Sequence, residues 1–143
     1  MKFSKSEKGY MIRLLKGEKI IESLTHLCKQ EGIYSATLTG LGGAMNAEIG
    51  HYDLDNKTYN FKNFDGPLEI VSCNGNVAKV DEVPFIHMHM TISDSTLQCF
   101  GGHVKELVVG ATCEIFLTPL EIDLTRSQDD EIGLKLLNCE VSL

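Results

Sequence analysis

From Phe85 to Ile92 the chain reads Phe-Ile-His-Met-His-Met-Thr-Ile, a strict two-residue alternation. Successive side chains of an extended strand point to opposite faces, so Ile86, Met88, Met90 and Ile92 share one side. Phe85, His87, His89 and Thr91 share the other. The first side is core, and any fold built around this stretch must bury it. The second side carries chemistry.

Three of the five histidines lie between Pro84 and Val104. By the rise of a strand, His87 and His89 stand about 6 to 7 Å apart at their Cα atoms. Both rings can then lean onto one cation with bonds of about 2.0 to 2.1 Å. Ser93-Asp94-Ser95 reads as a turn, after which Leu97 to Phe100 returns as an antiparallel partner. Gly101-Gly102 predicts a sharp backbone bend that delivers His103 as a third ligand. Three neutral imidazoles describe a site for zinc or another divalent first-row metal ion, with a fourth position open to water, a small molecule or an anion. An ion in such a site brings bound water to a pKa of about 7, the basis of metal-water chemistry. The alternative makes the same histidines structural polar groups bonded to backbone carbonyls in a non-catalytic scaffold. Spacing alone leaves both open.

A chain of 143 residues fits one domain, residues 1–143, which buries about two thirds of its unfolded surface. No apolar run approaches the roughly 18 residues of a membrane span, and Met1 to Tyr10 lacks an apolar signal core. The expected address is cytoplasmic. Five cysteines, an odd number without a CxxC pair, point to free thiols in a reducing compartment. Cys28, Cys73, Cys113 and Cys139 read as unpaired, and Cys99, just before the glycine pair, is a minor candidate for a metal or redox role. Thirteen basic against twenty acidic residues leave a net charge of −7. Nucleic-acid binding draws on clustered Lys and Arg, and this chain has only Arg13 and Arg126 as arginines and no long basic run. Direct DNA binding is disfavoured.

Along the chain, Gly9 to Leu15 reads as a strand on which Arg13 snorkels or pairs, with a cleft or a neighbouring subunit as the lesser alternative. Ile20, Ile21, Leu24, Leu27 and Cys28 follow helical spacing between Gly17-Glu18 and Gly32. Ile33 to Thr39 reads as a strand ending in the glycine-rich Gly40 to Ala44 segment. That segment lacks the following helix of a phosphate loop, so its glycines are assigned to close backbone approach at a bend or subunit contact. Ala47 to Leu54 and Thr58 to Lys62 form a hairpin about Asp55-Asn56-Lys57. A loop from Asn63 to Pro67 leads to a strand at Leu68 to Cys73. Asn74-Gly75-Asn76 breaks that strand before Val77 to Val80. Strand alternation places Glu69 on an otherwise apolar face as a buried carboxylate in need of a partner. A structural hydrogen-bonded carboxylate is the leading reading of Glu69, and it is a weak candidate for a catalytic base or a support for a metal-bound ring. Val108 to Leu117 reads as a central strand and Leu120 to Arg126 as another, followed by an acidic loop. Leu134 to Leu137 and Val141 to Leu143 read as packing or interface segments. His26 and His51 are assigned no function. The sum is an α+β fold, a curved, mostly antiparallel sheet packed on one main helix.

Pro84 to Asp94 followed by Cys99 to Val104 resembles the HxH and GGH signature of the plants and prokaryotes conserved (PPC) domain. Gly17-Glu18, Leu38 to Ala44, Gly66 to Ser72 with Gly75-Asn76, and Leu124-Thr125-Arg126 follow in the family's order. The resemblance implies the same α+β fold, a homotrimer, and a DNA-binding or transcription-associated interaction module as an alternative function. Plant members that this domain resembles carry a separate AT-hook, which is absent here. Pro67 and Leu68 replace the arginine and phenylalanine of the family's partner-binding stretch, which weakens transfer of that role. No Ser-His-Asp order, diagnostic carboxylate pair or organic-cofactor fingerprint is present, so enzymatic activity and substrate are left open.

Overall fold

The computed structural model describes residues 1–139. The segment Val141 to Leu143 lies outside the described residues. The order of elements is β1 (Lys2–Ser6), β2 (Gly9–Leu15), α1 (Ile20–Glu31), β3 (Ala36–Asp53), β4 (Thr58–Val80), β5 (Val83–Ser93), β6 (Cys99–Pro119), β7 (Arg126–Asp129) and β8 (Leu134–Leu137). A six-stranded sheet runs β1-β2-β6-β3-β4-β5, and β7 and β8 form a separate hairpin. All pairings between these strands are antiparallel. Because β5 pairs with β6 as well as with β4, the strands β3 to β6 close on themselves. Closure removes the exposed edges those strands would otherwise present.

The helix follows its apolar stripe: Ile20, Leu24, Leu27 and Cys28 are buried, and it packs against β5 and β6. Glu106 of β6 accepts from the backbone N–H groups of Ile21 and Glu22 at 2.9 and 3.3 Å. A sheet carboxylate thereby satisfies donors that the helix start leaves free. Gly32 takes φ 67° at the other end, where its left-handed conformation stops the helix. On β5 the alternation holds: Ile86, Met88, Met90 and Ile92 are all at most 6% exposed. Burying each such side chain contributes about 1.5 to 3 kcal/mol.

Four sequence readings change. The glycine-rich segment from Gly40 does not separate two strands; it lies inside β3, whose register slips between Gly40 and Gly42 and between Ala44 and Asn46. Asn63 to Pro67 and Asn74-Gly75-Asn76 do not interrupt β4, which runs through 23 residues. A Cβ on Gly75 would lie 2.3 Å from the carbonyl oxygen of His87, so this glycine admits β5 rather than breaking β4. Gly101-Gly102 is likewise inside a strand. Leu120 to Thr125 is an irregular connection, and the late strand begins only at Arg126. The acidic stretch Asp129 to Glu131 falls at the turn of the β7–β8 hairpin. Strand β1 escapes sequence reading because its Lys-Phe-Ser-Lys-Ser is exposed along its whole length.

Candidate metal centre

His87 and His89 lie two residues apart on β5, and register supplies the third ring. His89 pairs directly with His103 on β6, and His103 in turn pairs with Gly50 on β3. Directly opposed residues on antiparallel strands project to the same face with Cβ atoms about 4.5 to 5.5 Å apart. His103 therefore arrives by cross-strand pairing, without the bend expected at Gly101-Gly102. The second of those glycines instead permits close packing, since a Cβ on Gly102 would lie 2.6 Å from the carbonyl oxygen of Gly50, where β3 and β5 crowd β6 from both sides.

The three ring centroids form a nearly equilateral triangle, with separations of 5.2, 5.3 and 5.5 Å. One nitrogen from each ring lies within 4.8 Å of the other two. Ligands at about 2.0 to 2.1 Å around a tetrahedral ion stand about 3.3 to 3.4 Å apart. Ligation therefore requires the rings to turn about χ2, a torsion with broad wells. His87 and His103 are half-buried, whereas His89 is exposed. Burial, then the neighbouring Arg126 cation, then the other two histidines push His87 down to about 4. His103 is lowered by burial first, then by His89 and Arg126. Both rings are therefore neutral near pH 7, the form that ligates metals. The buried Nδ1 of His103 has no hydrogen-bond partner among the described residues. An orphaned imidazole nitrogen beside the neutral ring of His87 fits a divalent ion.

Two side chains absent from the sequence-derived site contact its rings. Tyr59 of β4 stacks on His103 with centroids 4.6 Å apart and planes inclined by 27°. Arg126, at the start of β7, donates from Nη2 to His87 Nδ1 at 3.0 Å and to Asn76 Oδ1 at 3.0 Å. Its Nη1 donates to the Lys135 carbonyl at 2.8 Å. Arginine has no acceptor, so this contact places the lone pair of His87 on Nδ1 and a proton on Nε2. An ion reaching Nδ1 would displace Arg126; one reaching Nε2 would require a proton on Nδ1, which turns the contact into donor against donor. Either route breaks this hydrogen bond. Tyr59 carries no local sequence signal, and the Leu124-Thr125-Arg126 motif does not disclose where Arg126 points, because each reaches the histidines from a distant element.

The β7–β8 hairpin covers one side of the triad. Tyr52 donates to the Ile132 carbonyl at 2.7 Å, and Lys57 donates to the Asp130 carbonyl at 2.7 Å. Beneath it lies a cavity of about 280 Å³ with Tyr59, Phe85, His87, His103, Arg126 and Lys135 among its walls. His89 faces a separate concavity of about 270 Å³ with Asn74 and Thr91.

The structure does not bring Glu69 to the histidines. It is exposed rather than buried, between the buried Leu68 and Ile70, and borders a concavity of about 460 Å³ with Lys16 and Met45. Its partner Ser93 is four residues from His89 along β5, about 13 Å by strand rise. Cys99 opens β6 as an exposed free thiol outside the triad. Cys28, Cys73 and Cys113 are buried, their thiols pushed up to about 12, 11 and 12 by burial. Arg13 lies on the exposed side of β2, and His26 and His51 are exposed outside the cluster.

Fold and site together define a small, mostly antiparallel β domain with one helix and a histidine triad where its sheet closes. The model of the Plants and Prokaryotes Conserved (PCC) domain, the family abbreviated PPC above, matches residues 1–121, and the chain belongs to that family. The match stops short of the Leu124-Thr125-Arg126 motif and of the β7–β8 hairpin. Among solved structures, the chain is similar to a plant- and prokaryote-conserved protein from Pyrococcus horikoshii at 32% identity and a TM-score of 0.88, covering 99% of this chain and 97% of that one. A metal-containing protein from Archaeoglobus fulgidus is 33% identical with a TM-score of 0.87, covering 96% and 99%. A protein from Ralstonia eutropha, provisionally described as DNA-binding, is 33% identical with a TM-score of 0.90, covering 96% and 95%. Curated proteins give no significant match. No helix among the described residues is long and apolar enough to cross a membrane.

Proposed function

We propose that this chain is a metal-binding domain in which His87, His89 and His103 hold one divalent first-row ion, zinc or similar, within a cytoplasmic homotrimer. The observation that carries the reading is the near-equal separation of the three rings. The metal-containing relative from Archaeoglobus fulgidus supports it. A bound ion supplies Lewis-acid polarisation of one further ligand. The chain's own residues do the rest: Tyr59 fixes the plane of His103, Asn76 and the Lys135 carbonyl hold Arg126, and the hairpin limits water access from one side. Elemental analysis of protein purified without a metal-affinity tag tests the reading. One metal per chain is expected in the wild type, with loss in His87→Ala and His103→Ala. No stoichiometric metal, or equal content in the variants, would contradict it.

A second reading, a DNA-binding interaction module, is favoured by the provisional description of the Ralstonia eutropha relative. The net charge of −7 opposes it, since duplex affinity depends on neutralising phosphates with basic residues.

A further inference from the structure

The cavity beneath the β7–β8 hairpin differs in charge from the rest of the chain. Acidic residues outnumber basic ones by twenty to thirteen overall, yet this cavity is bordered by Arg126 and Lys135 and by no aspartate or glutamate. Lys135 is partly engaged at the rim, with its ammonium 3.7 Å from Asp81. Arg126 has no carboxylate partner among the described residues. Its three acceptors, the Asn76 amide oxygen, His87 Nδ1 and the Lys135 carbonyl, are all neutral.

A guanidinium has five N–H groups. Three acceptors leave two N–H groups unused, and one of them, on Nε, is buried without a partner. A half-buried cation bonded only to neutral acceptors lacks the counter-charge that ordinarily offsets its desolvation. Arg126 also lies 5.8 Å from the centroid of Phe85. Tyr59, Phe85, Leu134 and Leu136 give the cavity apolar walls, which suit an organic body better than a fully hydrated inorganic ion.

We propose that this cavity is a binding site for a small organic carboxylate, anchored by Arg126 and seated against His87 and His103. The site does not rest on the metal reading, because its cation belongs to the protein. The two are linked where an ion occupies the triad: metal at His87 ends the Arg126–His87 hydrogen bond and frees another N–H for the carboxylate. The hairpin that carries Arg126 lies beyond residue 121, where the family-model match ends.

The test is a calorimetric titration of the full chain with benzoate, before and after zinc loading. It compares wild type, Arg126→Gln, Arg126→Lys, and Arg13→Gln as an exposed control, each verified as folded by circular dichroism. Loss of a charge-assisted anchor predicts at least about tenfold weaker binding in Arg126→Gln even without zinc. Arg126→Lys, with a cation but fewer donors, is expected between it and the wild type, and Arg13→Gln is expected to match the wild type. Equal affinity in wild type and both Arg126 variants would overturn the proposal, as would absence of binding in the wild type at millimolar benzoate. Inorganic phosphate that displaces benzoate at equal concentration would overturn the carboxylate class. Benzoate binding that appears only with zinc and ignores Arg126 would overturn this anchor and leave the metal centre standing. Arg126-dependent binding in a protein that takes up no zinc would do the reverse.

Discussion

At the scale of single residues, the triad's chemistry turns on His87. Its folded-state value of about 4 lies below its ordinary 6.5. The unfolded chain therefore binds a proton at this position over a range where the folded chain does not. Stability contributed by the neutral ring is complete above about 6.5 and is lost as pH falls toward 4. His103 acts in the same direction. Denaturant titrations of metal-free protein from pH 7 to 4 should show this fall, and His87→Gln should flatten it; an unchanged slope would contradict the burial of that ring. Arg126 makes a second residue-scale prediction. It competes for the His87 lone pair and adds a positive charge beside the ion, so Arg126→Gln should bind zinc more tightly, by about tenfold on the scale of one hydrogen bond to a charged group. A chelator competition assay reads the change, and weaker zinc binding in the variant would reverse this account of the contact.

At the scale of elements, the site depends on how closely β4, β5 and β6 approach. Gly75 has no space for a side chain, because a Cβ would stand 2.3 Å from the His87 carbonyl oxygen. Gly75→Ala should force β4 and β5 apart, destabilise the fold by about 2 kcal/mol or more, and show as a lowered Tm. An unchanged Tm would mean that β4 and β5 tolerate that separation. Tyr52→Phe removes the hydroxyl bond to Ile132 and should cost about 1 kcal/mol locally. Amide exchange across residues 126–137 should quicken while β3 to β6 stay protected; uniform behaviour would show that the hairpin is held some other way. These elements also show what the sequence can reveal. Period-two alternation identifies β5 and its buried face, and helical spacing with Gly32 locates α1, because both signals are local. Glycine misleads at Gly40, Gly75 and Gly101-Gly102, where it marks close strand contact that only tertiary pairing discloses. The same limit hides the long continuity of β3 and β4, and it hides the meeting of Tyr59 and Arg126 with the histidines across the fold. The histidine triad was legible because two rings share a strand face and the third follows one return of the chain. The manner of its arrival, through the His89–His103 register, was not.

At the scale of the whole molecule, the sheet closes at the point where the histidines meet, so folding itself assembles the triad. The outer surface retains exposed apolar side chains, including Leu41, Met45, Val71 and Phe116, consistent with the proposed assembly of three copies. Sedimentation should give three times the 15.8 kDa chain mass; a monomer at micromolar concentration would remove the trimer. Net charge −7 predicts no salt-dependent affinity for duplex DNA, and a steep decline of binding with added salt would restore the nucleic-acid reading. The most direct test of the convergence of His87, His89 and His103 is anomalous diffraction at the zinc absorption edge from crystals of zinc-loaded protein. One anomalous peak bonded to all three rings at about 2.0 to 2.1 Å is the expected result, and zinc located elsewhere, or bonded to fewer than three of these rings, would contradict it.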